Sequence, residues 1–141
     1  LLVPGTSWTG AHSWRSSGNA AEAEAFKDPG NNFAFEVHQY LDGDSSGTNA
    51  DCSAGAAERV DDVITWARSR NVKLFLGETG ATDDKTCTVE YPAMLKRVTH
   101  SGVFIGWTAW GGGGWWPADY IFRTLPLDWP KTTKTTPHMK Y

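Results

Sequence analysis

The stretch Lys73-Leu74-Phe75-Leu76-Gly77-Glu78-Thr79-Gly80 decides the fold of this 141-residue chain. Residues 73–77 are nearly continuous in apolar side chains, as strands covered on both faces tend to be, and an acid and a threonine end the run. Immediately before it, Ala56, Val60, Val63, Ile64 and Ala67 recur at helical spacing and predict a helix over Ala56 to Arg70. Its acids lie toward the start and its bases toward the end, as the helix dipole prefers. Just after it, a second helix is predicted over Thr88 to His100, with Pro92 in the first turn, Met94, Leu95 and Val98 facing inward, and Gly102 ending it.

Working outward, the same alternation recurs. Apolar runs at Leu1 to Val3, Phe33 to His38 and Val103 to Trp107 read as three more strands, and a short Ala-rich helix is expected over Ala20 to Phe26, before Asp28-Pro29. Strand, helix, strand at spacings near 30 to 40 residues is the pattern of βαβ units. The fold class is therefore α/β with about four parallel βα units, half of a (β/α)8 TIM barrel. Residues 1–130 are assigned to this half-barrel and 131–141, rich in Thr and Lys, to a disordered tail. The chain opens on Leu1-Leu2-Val3 without a charged leader, so it reads as the interior of a longer protein or as a mature or cloned piece.

Composition excludes several function classes. A net charge of −3, from 13 Lys+Arg against 16 Asp+Glu, leaves no basic block for a nucleic acid or an anionic membrane. The mean hydropathy of −0.43 fits one soluble domain, and no run approaches the roughly 18 apolar residues of a membrane span. No Walker loop or GxGxxG is present, and His12, His38, His100 and His138 lack ligand spacing, so no cofactor and no metal are expected. Cys52 and Cys87 leave open one disulfide or two free thiols; a bridge would favour an oxidising compartment. Eight Trp outnumber the six Phe and four Tyr, a supply of flat surface suited to a core, an interface or a sugar platform.

Polar residues collect where the strands end: Glu78 after one, His38 and Tyr40 after another, Trp107 and Trp110 after the last. In parallel α/β folds these ends build the active face. Taken singly, an acid there is more often a helix cap than a catalyst, and a lone histidine is as often a hydrogen-bonded core residue. Taken together and in order, Leu76-Gly77-Glu78-Thr79-Gly80, Phe35-Glu36-Val37-His38-Gln39-Tyr40-Leu41-Asp42-Gly43-Asp44-Ser45-Ser46-Gly47-Thr48 and Gly106-Trp107-Thr108-Ala109-Trp110 resemble glycoside hydrolase family 5, the endoglucanase (cellulase) family.

That resemblance implies a secreted, retaining β-1,4-glucanase acting on cellulose or related β-glucans, with this chain as strands five to eight of the barrel. It implies Glu78 as the catalytic nucleophile, Tyr40 with its hydroxyl against that carboxylate, and His38 lining the site of cleavage. Trp110 matches the tryptophan on which a glucose ring stacks. Trp8 and Trp14 fall in the loop after the first strand, where either sugar contact or loop packing would place a tryptophan. Cys52 and Cys87 fall after neighbouring strands on one face, which makes a bridge topologically reasonable.

The sequence departs from the family in one respect that bears on chemistry. Retaining hydrolysis needs a second carboxyl group about 5 to 5.5 Å from the nucleophile, and the Asn-Glu-Pro motif that supplies it in the family is absent here. Glu36, two residues before His38, is expected one layer deeper in the barrel as a paired structural group. Four strands also leave two edges and an apolar inner face open, so a partner is expected, either a second copy forming a homodimer or a missing N-terminal half-barrel. The segment after Tyr120 shows no clear final helix. The alternative to an enzyme is a β-glucan-binding half-barrel or an inactive fragment.

Overall fold

The computed structural model describes residues 1–125. Four parallel strands, β1 (Leu2–Val3), β2 (Ala34–His38), β3 (Leu74–Glu78) and β4 (Phe104–Trp107), pair in the order β1-β2-β3-β4. Each lies inside the run predicted for it or extends it by one residue. Helices α1 (Asn19–Ala25), α2 (Asp61–Arg70) and α3 (Cys87–His100) fill the connections. Strands in sequential order, with no reversal, are the winding of a barrel wall; a doubly wound sheet reverses direction at a switch point.

The two sheet faces differ as that winding requires. Phe35, Val37, Leu74 and Leu76 join Val60, Val63, Trp66, Met94 and Val98 in one buried cluster beneath the helices. Their neighbours Leu2, Glu36, His38, Phe75 and Ile105 stand outside that cluster on the opposite, inner face. Leu2 is 48% and Ile105 61% exposed, one on each edge strand.

Two helix starts differ from expectation. The segment Ala56 to Arg70 is not uniformly α-helical: Ala56–Val60 is wound as a 3-10 turn, with the Glu90 carboxylate accepting from the N–H groups of Gly55 (2.8 Å) and Ala57 (2.9 Å) at its start. Helix α3 begins at Cys87, where Asp84 accepts from the N–H groups of Thr86 and Cys87, so Pro92 lies in the second turn. Cys52 and Cys87 form a disulfide with Cα atoms 5.0 Å apart. No helix follows β4 among the described residues. The tail assigned to 131–141, and the end of the half-barrel at 130, lie outside them. No helix of the described residues is long and apolar enough to cross a membrane.

Candidate active site

Glu78 is the last residue of β3, and the register explains how it meets its partners. Val37 pairs with Leu76 and His38 with Glu78, so Gly77 is an extra residue, a bulge. The bulge carbonyl accepts from the Thr108 hydroxyl at 2.6 Å, and the carbonyl of Glu78 accepts from the Gln39 N–H at 3.0 Å. With the backbone so fixed, the Tyr40 hydroxyl donates to Glu78 Oε2 at 3.0 Å and His38 Nδ1 stands 3.7 Å from the same oxygen. His38 Nε2 is 3.1 Å from Glu36 Oε1.

Two groups pack against the Tyr40 ring. Phe122 stacks on one side, centroids 5.3 Å apart and planes 17° from parallel. Gly47 lies against the ring as well, so close that a Cβ there would fall 2.8 Å from the ring carbons, and its φ of +70° also suits glycine. Burial first, then the neighbouring Glu78 carboxylate, pushes the Tyr40 phenol well above the ordinary tyrosine range, which keeps it a proton donor.

Gly47 is in place because its loop is locked from within. The Asp42 carboxylate, buried to 2% exposure, accepts from the N–H groups of Gly47, Thr48 and Asn49 and from the Ser46 hydroxyl. Arg59 ties down the same loop, donating from Nη1 to Asp42 O (2.6 Å) and Ser45 Oγ (2.8 Å).

A cleft of about 790 Å³ opens over these groups, lined by Trp8, His12, His38, Tyr40, Asp44, Ser46, Thr48 and Glu78 among others. Desolvation, followed by the Arg59 charge, lowers the His12 pKa, while its bond to Gln39 opposes them. Hydrogen bonds from Ser46 hold Asp44 below the usual carboxylate range, which suits it to accept from hydroxyl groups and unsuits it to donate a proton. Trp8 is 91% exposed at the rim, in a left-handed turn where Ser7, Trp8 and Thr9 all have φ of +52°. Such a conformation costs non-glycine residues energy and is held by tertiary bonds. Asn19 accepts from the Thr6 N–H and hydroxyl, and Thr9 donates its hydroxyl to the carbonyl of Glu36.

The structure thus brings Glu78, Tyr40, His38 and Trp8 to one cleft. It removes Trp14 from the sugar-facing surface: at 1% exposure, Trp14 packs against Phe35 and Trp66 at 5.8 and 5.3 Å, because the loop after β1 folds it down onto the helix layer. Trp110, 37% exposed, is not among the residues lining this cleft; its backbone N–H donates to the carbonyl of Thr79 at 2.8 Å, and its ring meets Trp116 edge-on at 5.7 Å. Trp116 stacks in turn on Tyr120 at 4.2 Å. Burial raises the Tyr120 pKa, against an opposing bond with Trp110. Phe122, Asp42, Arg59 and His12 were not anticipated as site residues; the closely spaced Asp, Ser, Gly and Thr of residues 42–48 were the available signal for the loop. Among the described residues, no three His, Cys, Asp or Glu side chains converge as a metal site.

Comparison with known proteins identifies a family. The family model for cellulases, glycosyl hydrolase family 5, matches residues 1–114. Endoglucanase 1 of Robillarda sp. is 35% identical over 118 residues, covering 82% of this chain and 31% of the relative. Endo-beta-1,4-glucanase B of Aspergillus niger is 34% identical over 131 residues, 91% of this chain and 39% of the relative. The chain therefore spans less than half the length of these curated relatives. An endo-beta-1,4-glucanase from Xanthomonas axonopodis pv. citri superposes with a TM-score of 0.84 at 42% identity, covering 89% of this chain and 42% of that one. The structure of XacCel5A in complex with cellopentaose superposes with the same score and coverage at 45% identity.

Proposed function

The chain belongs to glycosyl hydrolase family 5, the cellulase family, and from that premise we propose that it carries the nucleophile side of a retaining endo-β-1,4-glucanase. The observation that supports this most is the Glu78 carboxylate, at the C-terminal end of a barrel strand, facing an open cleft and receiving the Tyr40 hydroxyl at 3.0 Å. In this reading a Glu78 oxygen attacks the anomeric carbon of a β-linked glucose unit, and the bond to the leaving sugar oxygen breaks. Tyr40 fixes the carboxylate's orientation from one side. His38 lines the reacting centre, Trp8 at the rim takes the apolar face of a glucose ring, and Trp110 offers a second platform beyond the cleft wall.

The leaving oxygen needs a proton. Asp44 is the other carboxylate lining the cleft, and it is held ionised by Ser46, so the donor is assigned to a second half-barrel. An N-terminal half-barrel would supply that donor; it or a second copy of this chain would close the edges at β1 and β4 and cover Leu2 and Ile105. The Cys52–Cys87 bridge fits action outside the cell. The exposed Trp8 favours a second reading, binding of β-glucan without cleavage.

The test is release of reducing ends from carboxymethylcellulose, with light-scattering mass on the same fractions. Hydrolysis abolished by Glu78→Gln, with folding intact, is the expected result. Wild-type hydrolysis by that variant would overturn the nucleophile assignment. Cello-oligosaccharide binding without hydrolysis, lost in Trp8→Ala and kept in Glu78→Gln, would favour the binding reading.

A further inference from the structure

Glu36 has no part in the chemistry described so far, yet the sheet is shaped around it. Its side chain leaves β2 on the inner face, two residues before His38 and on the same side, with Oε1 3.1 Å from His38 Nε2. On β3, two residues beyond its register partner Phe75, a Cβ at residue 77 would fall 2.1 Å from that same Oε1, and 2.8 Å from Glu36 Cγ and Cδ. Gly77 is not at a positive φ, so conformational freedom does not explain it; the space it leaves open is occupied by this carboxylate. Gly77 is also the bulge residue that brings Glu78 opposite His38. One glycine thus makes room for Glu36 and aligns Glu78, and His38 lies between the two acids.

We propose that Glu36 is a positioning residue for His38: it accepts the Nε2 proton and so makes Nδ1, on the Glu78 side, the acceptor for a sugar hydroxyl. A carboxylate in this contact accepts, so the proton is the imidazole's. With Nε2–H engaged, the neutral ring offers Nδ1 as an acceptor, and its 3.7 Å from Glu78 Oε2 is too long for a direct bond. That separation suits a hydroxyl that donates to Nδ1 beside the nucleophile. The sugar-hydroxyl part rests on the reading of Glu78 as nucleophile; the ring's orientation and tautomer do not.

The test is nitrogen-15 correlation spectroscopy of the histidine rings in the full chain, the His38 signals being identified by their loss in His38→Asn. The wild type is expected to carry a slowly exchanging proton on Nε2 and none on Nδ1. Glu36→Ala should lose that slow exchange, Gly77→Ala should lose it by displacing the carboxylate, and Glu36→Gln, whose amide oxygen also accepts, should restore it. A proton on Nδ1 in the wild type overturns the proposal even if no variant folds, as does an unchanged Nε2 signal in Glu36→Ala. A second readout is the single-turnover release of dinitrophenolate from dinitrophenyl β-cellobioside, which keeps all its sugar hydroxyls. Here the Glu78 oxygen forms an ester to the anomeric carbon while dinitrophenolate departs with the bonding pair, so no acid catalyst is needed. The limiting rate should fall about tenfold in Glu36→Ala, with half-saturation unchanged and Glu36→Gln near wild type. No release by the wild type would count against the nucleophile reading and leave the spectroscopic result to decide on Glu36.

Discussion

Replacing Asp42 with alanine should unlock the loop that walls Tyr40 without unfolding the sheet. The carboxylate accepts from the N–H groups of Gly47 (3.0 Å), Thr48 (3.2 Å) and Asn49 (3.2 Å) and from the Ser46 hydroxyl (3.1 Å). Each hydrogen bond to a charged acceptor contributes about 1.5 to 3 kcal/mol where water cannot replace it. Ser46, Thr48 and Asn49 lie near solvent, so water takes over part of that role, and we expect about 2 to 4 kcal/mol for the set. At about 1.4 kcal/mol per factor of ten, hydrogen exchange at Gly47, Thr48 and Asn49 should accelerate by roughly 30- to 1000-fold. Amides of β2 and β3 should keep their protection, because Arg59 still holds the Asp42 carbonyl and Ser45. The assay is site-resolved amide exchange. Acceleration below about threefold, or one spread evenly over the domain, would refute the view of Asp42 as the local lock of this loop.

Other expectations follow from the same structure. Reduction of Cys52–Cys87 releases a 35-residue loop constraint and should lower unfolding free energy in urea by about 3 to 4 kcal/mol on the chain-entropy view; an unchanged midpoint would contradict that. Glu90 and Asp84 are held below the usual carboxylate range by backbone N–H groups. Their contribution is therefore complete above the ordinary carboxylate range and lost as pH falls through their lowered values. Glu90→Gln should melt earlier than wild type near neutrality, with the gap closing in acid. Burial and Glu78 raise the Tyr40 phenol, so its contribution is complete below the ordinary tyrosine value and fades as pH rises past it. Accordingly Tyr40→Phe should leave the tyrosinate absorbance step of the ordinary range intact; a step smaller by one tyrosine would show that Tyr40 titrates normally.

How much of this was legible in the sequence depended on the range of the interaction involved. Apolar runs such as Leu74-Phe75-Leu76 and the helical stripe from Ala56 to Ala67 carry local periodicity, and the strands, α1 and α3 fell within a residue of their predicted ends, whereas α2 starts at Asp61, five residues after the predicted Ala56. The 3-10 turn at Ala56–Val60 was not legible, because the group at its start, Glu90, is more than thirty residues away. The contact between Tyr40 and Glu78 was anticipated only through resemblance, since 38 residues separate them. Trp8 and Trp14 read alike in sequence, six residues apart in one loop. Only tertiary folding distinguishes the exposed rim residue from the one packed on Trp66. The bulge at Gly77 was equally hidden, as a glycine before an acid resembles any strand end until the register with Val37 and His38 is known.

The most direct test of the account is to treat the full chain with a 2-deoxy-2-fluoro-cellobioside bearing a dinitrophenolate leaving group and map the modified peptide by mass spectrometry. The account predicts one fluorocellobiosyl ester, on Glu78, formed more slowly in Tyr40→Phe and absent from Glu78→Gln. An adduct on another residue, or none from a chain that binds cellopentaose, would contradict it.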